Sequence, residues 1–139
     1  KSKRRVFLHC IVSESRIWLL DGNRSFNCKA ISWLKMKSIK IRQLECNRVT
    51  YDIAVTISEF GSYIQSLTTQ DILIDDKSTA KMIKGCPNLR ILNLSGCEKI
   101  SDASIVKISE NCFELNSLNL AGCHNITDLS IIRIVEACP

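Results

Sequence analysis

No apolar run in this chain approaches the roughly 20 residues that a membrane-spanning helix requires, and no secretory signal is evident within it. Glycine is scarce. The five glycines include no G-x-x-x-x-G-K-[ST] arrangement, so there is no loop whose backbone N–H groups could cradle a nucleotide's phosphates. Histidine occurs only as His9 and His124. Each stands beside a cysteine, Cys10 and Cys123, but neither has the C-x-x-C or H-x-x-x-H spacing of a zinc site. A Cys–His nucleophilic pair would need the thiolate held against the imidazole, whereas an inward Cys123 turns its neighbour His124 away. Aromatic residues make up 6% of the chain. Phe7, Trp18, Phe26 and Trp33 are too dispersed to form the stacking platform used for single-stranded nucleic acid. These absences leave no catalytic constellation, and the expectation is a chain with no enzymatic activity, no cofactor and no metal.

What the chain has in quantity is cysteine, and it is periodic. Five of the eight cysteines fall on two columns: Cys86, Cys112 and Cys138 are 26 residues apart, as are Cys97 and Cys123. The stretch C-P-N-L-R-I-L-N-L-S-G-C-E-K-I-S-D (Cys86 to Asp102) recurs as C-F-E-L-N-S-L-N-L-A-G-C-H-N-I-T-D (Cys112 to Asp128). A fixed period of this length marks a solenoid, in which each unit buries its apolar face only by stacking on a neighbour. Leu92-x-Leu94 and Leu118-x-Leu120 have the two-residue spacing of a strand. After Ile100 and Ile126 the pattern turns helical. Ser101 and Thr127 are residue types that cap a helix N-terminus. Asp102 and Asp128 put negative charge at the positive end of the helix dipole. Ile105, Val106 and Ile108, repeated as Ile131, Ile132, Ile134 and Val135, form an expected inward stripe. Gly96 and Gly122 occupy one repeat position, where the chain turns after the strand. Three equivalent thiols in a column cannot all pair, and buried free cysteine behaves as a small hydrophobe. Reduced thiols are therefore expected, and with them a cytoplasmic or nuclear location.

This unit resembles the cysteine-containing subclass of leucine-rich repeats, whose pattern is C-x-x-L-x-x-L-x-L-x-x-C-x-x-I-T-D-x-x-L. The resemblance covers Cys86–Pro139 closely, as clear units at 86–111 and 112–137 and the truncated start of another. It decays upstream. Ile64-x-x-Leu67 and Asp75-Asp76 through Cys86 fit a slightly shorter unit, with Ile72 near the cysteine position. Ile39-x-Ile41, Cys46, Val49-Thr50 and Ile57-Ser58-Glu59 suggest a more degenerate one. The fold implied is α/β: a leucine-rich-repeat solenoid over 38–139, with a curved parallel sheet inside and helices outside. An irregular basic segment, 1–37, precedes it. The absence of a starting Met and the stop one residue into a new unit lead us to expect a longer array. The family is best known from receptors in which an F-box precedes the repeats. Cys10 to Trp18 and Trp33 to Ile41 loosely resemble the last F-box helix and the tryptophan segment that follows it. The Leu-Pro start and first two helices are absent.

Charge divides the chain. Residues 1–48 carry 12 Lys/Arg against Glu14, Asp21 and Glu45, a net +9, and the remainder carries 7 basic and 11 acidic residues, a net −4. A basic block can attract nucleic acid, an acidic protein or a membrane surface. The plainer expectation is a solvated leader drawn to the acidic array, with no membrane or nucleic-acid role. The resemblance implies that the non-consensus strand positions face a concave, partner-binding surface: Arg90, Ile91, Asn93, Ser95, Asn116, Ser117, Asn119 and Ala121, with Gln65, Ser66 and Thr68 before them. Asn93 and Asn119 are equivalent. They either form a ladder along the sheet or offer hydrogen bonds to a partner, with Arg90 and Ile91 as anchors. The leading expectation is a non-catalytic protein-interaction array, the substrate-recognition part of an SCF-type ubiquitin-ligase receptor. Such a receptor recruits a cullin-ligase adaptor only through a complete F-box upstream. The alternative is a leucine-rich-repeat scaffold or regulator with no F-box and no ubiquitin role.

Overall fold

The computed structural model describes residues 10–13, 16–19, 40–46 and 48–138. Strands and helices alternate along most of them. Strands β1 (Cys10–Ser13), β2 (Arg16–Leu19) and β3 (Gln43–Cys46) are followed by helix α1 (Tyr51–Phe60) and a 3-10 turn (Gly61–Tyr63). Then come β4 (Ser66–Thr68), α2 (Asp76–Lys84), β5 (Ile91–Asn93), α3 (Asp102–Asn111), β6 (Ser117–Asn119) and α4 (Asp128–Ala137). The six strands form one sheet in chain order. β1 and β2 are antiparallel, and every later pairing is parallel. The sheet is open. The curled sheet expected from the repeat is not formed: curvature accumulates from a small rotation per unit, and few units contribute here.

The strand–helix–strand connections place equivalent residues side by side. Leu44 pairs with Leu67, Leu67 with Leu92, and Leu92 with Leu118. The first three are buried and Leu118 packs against their core. The cysteine columns lie in that same interior. Cys86, Cys97 and Cys112 are fully buried, and the thiols bond from one unit to the next. Cys112 Sγ donates to the Cys86 carbonyl at 3.5 Å, Cys138 Sγ to Cys112 at 3.2 Å, and Cys123 Sγ to Leu94 at 3.1 Å. Gly96 and Gly122 both have positive φ, 76° and 78°, a backbone that glycine adopts without strain. Gly61 opens the 3-10 turn at the position held by Cys86 and Cys112 later. A Cβ there would lie 2.5 Å from both Cys86 Sγ and the Gly85 carbonyl oxygen, so the unit before the first column cysteine makes room by having no side chain.

Four details differ from the sequence expectation. First, Cys10–Ser13 and Arg16–Leu19 are strands, not the last helix of an F-box, and β2 extends the parallel sheet through Trp18 opposite Glu45. The rest of 1–37, including Trp33 and the basic cluster, lies outside the described residues. Second, Ile72 is 56% exposed and the cysteine position is taken by Asp71. The Ile74 N–H bonds the Asp71 carbonyl as the Ile100 N–H bonds that of Cys97. Third, the inward stripe of α4 is incomplete. Ile134 is buried, but Ile131, Ile132 and Val135 are 37%, 54% and 67% exposed. Their counterparts in α3 lie between two helices, whereas α4 packs on α3 alone among the described elements. Fourth, Thr127 does not cap its own helix through its side chain; its hydroxyl donates to Asp102 Oδ2 at 2.8 Å.

Candidate functional site

Alternation along each strand turns every second side chain away from the helices, and the strand register aligns these into rows. One row runs Gln43, Ser66, Ile91, Ser117, and the next runs Glu45, Thr68, Asn93, Asn119. Parallel strands lie about 4.8 Å apart, so neighbours in a row are within reach of one ligand side chain. Arg90 and Asn116 stand just before the strands and are exposed. Their backbones are tied to the same sheet, since the Arg90 N–H bonds the Gln65 carbonyl at 2.8 Å and the Asn116 N–H bonds that of Arg90 at 2.9 Å. Ile91 is 45% exposed in the middle of this polar face.

The two asparagines do not form a ladder with each other. Asn93 Oδ1 accepts the Ser95 N–H and Asn119 Oδ1 accepts the Ala121 N–H, each at 3.0 Å. Each side chain therefore holds the turn that ends its own strand, the local bonding for which Asn is favoured in turns. Neither Nδ2 is hydrogen-bonded to a described residue, so the acceptor is used internally and two amide donors per asparagine face outward. Ser95 and Ala121 have already left the strands and serve through their N–H groups. Arg42, Gln43 and Glu45 extend the face on the β3 side. They were not anticipated, because the unit that contains them lacks the leucine and cysteine signature. The spacing of Ile41, Leu44 and Cys46, three and then two residues as in Leu89, Leu92 and Leu94, is the signal that could have found them.

Behind the face, carboxylates join each helix start to the next. Asp76 accepts from the Ser101 N–H at 2.8 Å, from Ser101 Oγ at 2.6 Å and from Ser104 Oγ at 2.5 Å. One unit later Asp102 accepts from the Thr127 N–H at 2.8 Å, Thr127 Oγ1 at 2.8 Å and Ser130 Oγ at 2.6 Å. Burial works to raise the Asp76 pKa, but hydrogen bonds from Ser101 and Ser104 outweigh it and hold the carboxyl below its ordinary 3.8. For Asp102 the Ser130 hydroxyl, with Thr127, has the same lowering effect. Asp71, 7% exposed, accepts from the Val49 and Leu73 N–H groups at 2.8 and 2.9 Å. The thiols are inert by comparison: burial, with a neighbouring thiol behind it, pushes Cys86, Cys97 and Cys112 up to about 12. His124 is exposed beside the half-buried Cys123. No group of three or more His, Cys, Asp or Glu among the described residues is placed to hold a metal. No helix among them is long and apolar enough to cross a membrane.

Alternating strands and helices on a parallel sheet fit an α/β, leucine-rich-repeat-like fold. A family model described as Leucine Rich repeat matches residues 85–109, the unit from Cys86 through β5 to most of α3. That class supports a protein-interaction role with protein partners. No curated protein matches the chain.

Proposed function

We propose that this chain is a non-catalytic protein-interaction array that binds a protein through its outward strand face, with Arg90 and Ile91 as anchors. Asn93, Ser95, Asn116, Ser117 and Asn119 supply the surrounding polar contacts. Ile91 carries the reading. A large aliphatic side chain, half-exposed between Ser66 and Ser117, gains stability from burial only when something covers it, on the order of 1.5–3 kcal/mol for a complete change. Arg90 beside it is of the type enriched at interface hot spots, and the outward amide donors suit a partner's backbone carbonyls. Within this reading the repeats of 38–139 stack as a solenoid and form the substrate-recognition part of an SCF-type ubiquitin-ligase receptor, with any adaptor contact made by an F-box beyond these residues. The free thiols of Cys46, Cys86, Cys97, Cys112, Cys123 and Cys138 support a cytoplasmic or nuclear site of action. One observation favours the alternative, a scaffold or regulator without an F-box: β1 and β2 add strands to the sheet where an F-box would end in a helix.

The test is co-purification from cells of the protein at its natural length, beside an Arg90→Ala/Ile91→Ala variant. We expect partners to be retained by the parent and weakened about tenfold or more in the variant. Partners held equally by both would reject the strand face. A parent that retains partners but no cullin-ligase adaptor would establish the scaffold reading over the receptor.

A further inference from the structure

The helices carry a second repeating pattern, on the side away from the strand face. Thr56, Lys81, Lys107 and Arg133 hold one equivalent position, five residues into each helix, and Glu59, Lys84, Glu110 and Glu136 hold another, three residues later. Where both signs are present they neutralise each other. Glu110 accepts from Lys107 at 2.9 Å and lies 3.6 Å from Arg133. Helix α2 is the exception, because Lys84 stands where the other three helices have glutamate. Lys81 and Lys84 consequently form no ion pair with a described residue. With Lys107, Glu110, Ala80 and Asn111 they line a groove of about 490 Å³ between α2 and α3.

We propose that this groove binds a short acidic segment of a protein partner, with two carboxylates paired to Lys81 and Lys84. The neighbouring columns set the length of that segment. Glu59 on α1 lies to one side of Lys84, and Glu110, paired with Lys107, forms the α3 wall of the groove, so the uncompensated charge is about one helix spacing wide, roughly 10 Å. A nucleic acid or an anionic bilayer extends its charge well beyond that width and meets the glutamates as well. A pair of acidic side chains on a peptide can keep to the Lys81 and Lys84 wall, opposite Glu110. The Lys side chains supply point charges on flexible stems, which suits carboxylates approaching at varied angles in an open groove. The site shares no residue with the strand face, so both could be occupied together.

The test is a ¹⁵N-resolved titration of the intact protein with a Gly-Glu-Glu-Gly peptide, with Gly-Gln-Gln-Gly, an oligothymidylate and anionic lipid vesicles as comparison probes. The diglutamate peptide should shift the amides of α2 and the start of the groove on α3. Its affinity should fall about fivefold or more in Lys84→Glu and should decline from about 50 mM to about 500 mM salt. Lys84→Glu restores the residue that Glu110 and Glu136 already provide, so an unchanged melting temperature is expected alongside the lost binding. Three results would each overturn the proposal: the diglutamine peptide binding as well as the diglutamate one, diglutamate affinity unchanged within twofold in Lys84→Glu, or tighter binding of oligothymidylate or vesicles at the same amides.

Discussion

Single residues decide how well each unit seats on the next. Asp71 replaces a cysteine, and in doing so it reverses the direction of a hydrogen bond. Cys97 Sγ donates to the Thr69 carbonyl of the unit before it, whereas the Asp71 carboxylate accepts from the Val49 N–H of its own preceding unit. Both solutions satisfy a buried backbone group, which would otherwise cost stability. The leucines differ by position in the same way. Leu94 is fully buried, while its equivalent Leu120 is half-exposed at the last described strand. Leu94→Ala should therefore cost about 2–5 kcal/mol, and Leu120→Ala clearly less. Urea unfolding of both variants checks this; equal losses would show that Leu120 is covered in solution.

Among elements, the helices are joined at their N-termini by carboxylates, not only by apolar packing. Asp76 and Asp102 each gather three donors from the helix that follows, so each works as a cap supplied by the neighbouring unit. Their folded pKa values lie below the ordinary 3.8. A depressed carboxylate contributes stability that is fully present above its unfolded pKa and is lost as pH falls through the folded value. Stability should thus hold from neutral pH down to about pH 4 and fall below it. Asp76→Asn, which cannot ionise, should lower stability at pH 7 and flatten that acid decline. Thermal melts of parent and variant between pH 2 and pH 7, with attention to the difference between them, read this directly. An identical pH profile would remove the carboxylates from the account of stability. The repeat alignment contained the pattern in retrospect. Asp76, Ser101 and Ser104 recur as Asp102, Thr127 and Ser130, but a sequence assigns a serine before a helix to its own cap, and only packing brings the previous aspartate within reach.

At the scale of the molecule, the thiol columns form a continuous interior seam with the leucines. Burial raises the pKa of Cys86, Cys97 and Cys112 to about 12, and thiolate is the reactive form. At pH 8 an alkylating reagent should modify these three slowly in the native protein, with Cys123 and Cys138 faster because they are half-buried. All should react in denaturant without reductant. Peptide mass mapping over time measures the order, and stable disulfides in the denatured sample would overturn the reduced-compartment reading.

The 26-residue period, the strand and helix of each clear unit, the turning glycines and the inward cysteines were legible in the sequence because they depend on local periodicity and on side-chain size. So was the outward alternation of the strand residues in the clear units, since alternation within a strand is a local property. What depends on neighbours was not legible. Whether Ile131 or Ile105 is buried depends on how many helices pack against it, and whether Asn93 bonds Asn119 or its own turn depends on backbone geometry at the strand end. That β1 and β2 join the sheet depends on β3 offering an edge. Lys84 was visible as a residue but not as an inversion, because its meaning comes from Glu110 and Lys107 lying on the next helix, where the Coulomb interaction acts over ångströms and not over sequence distance.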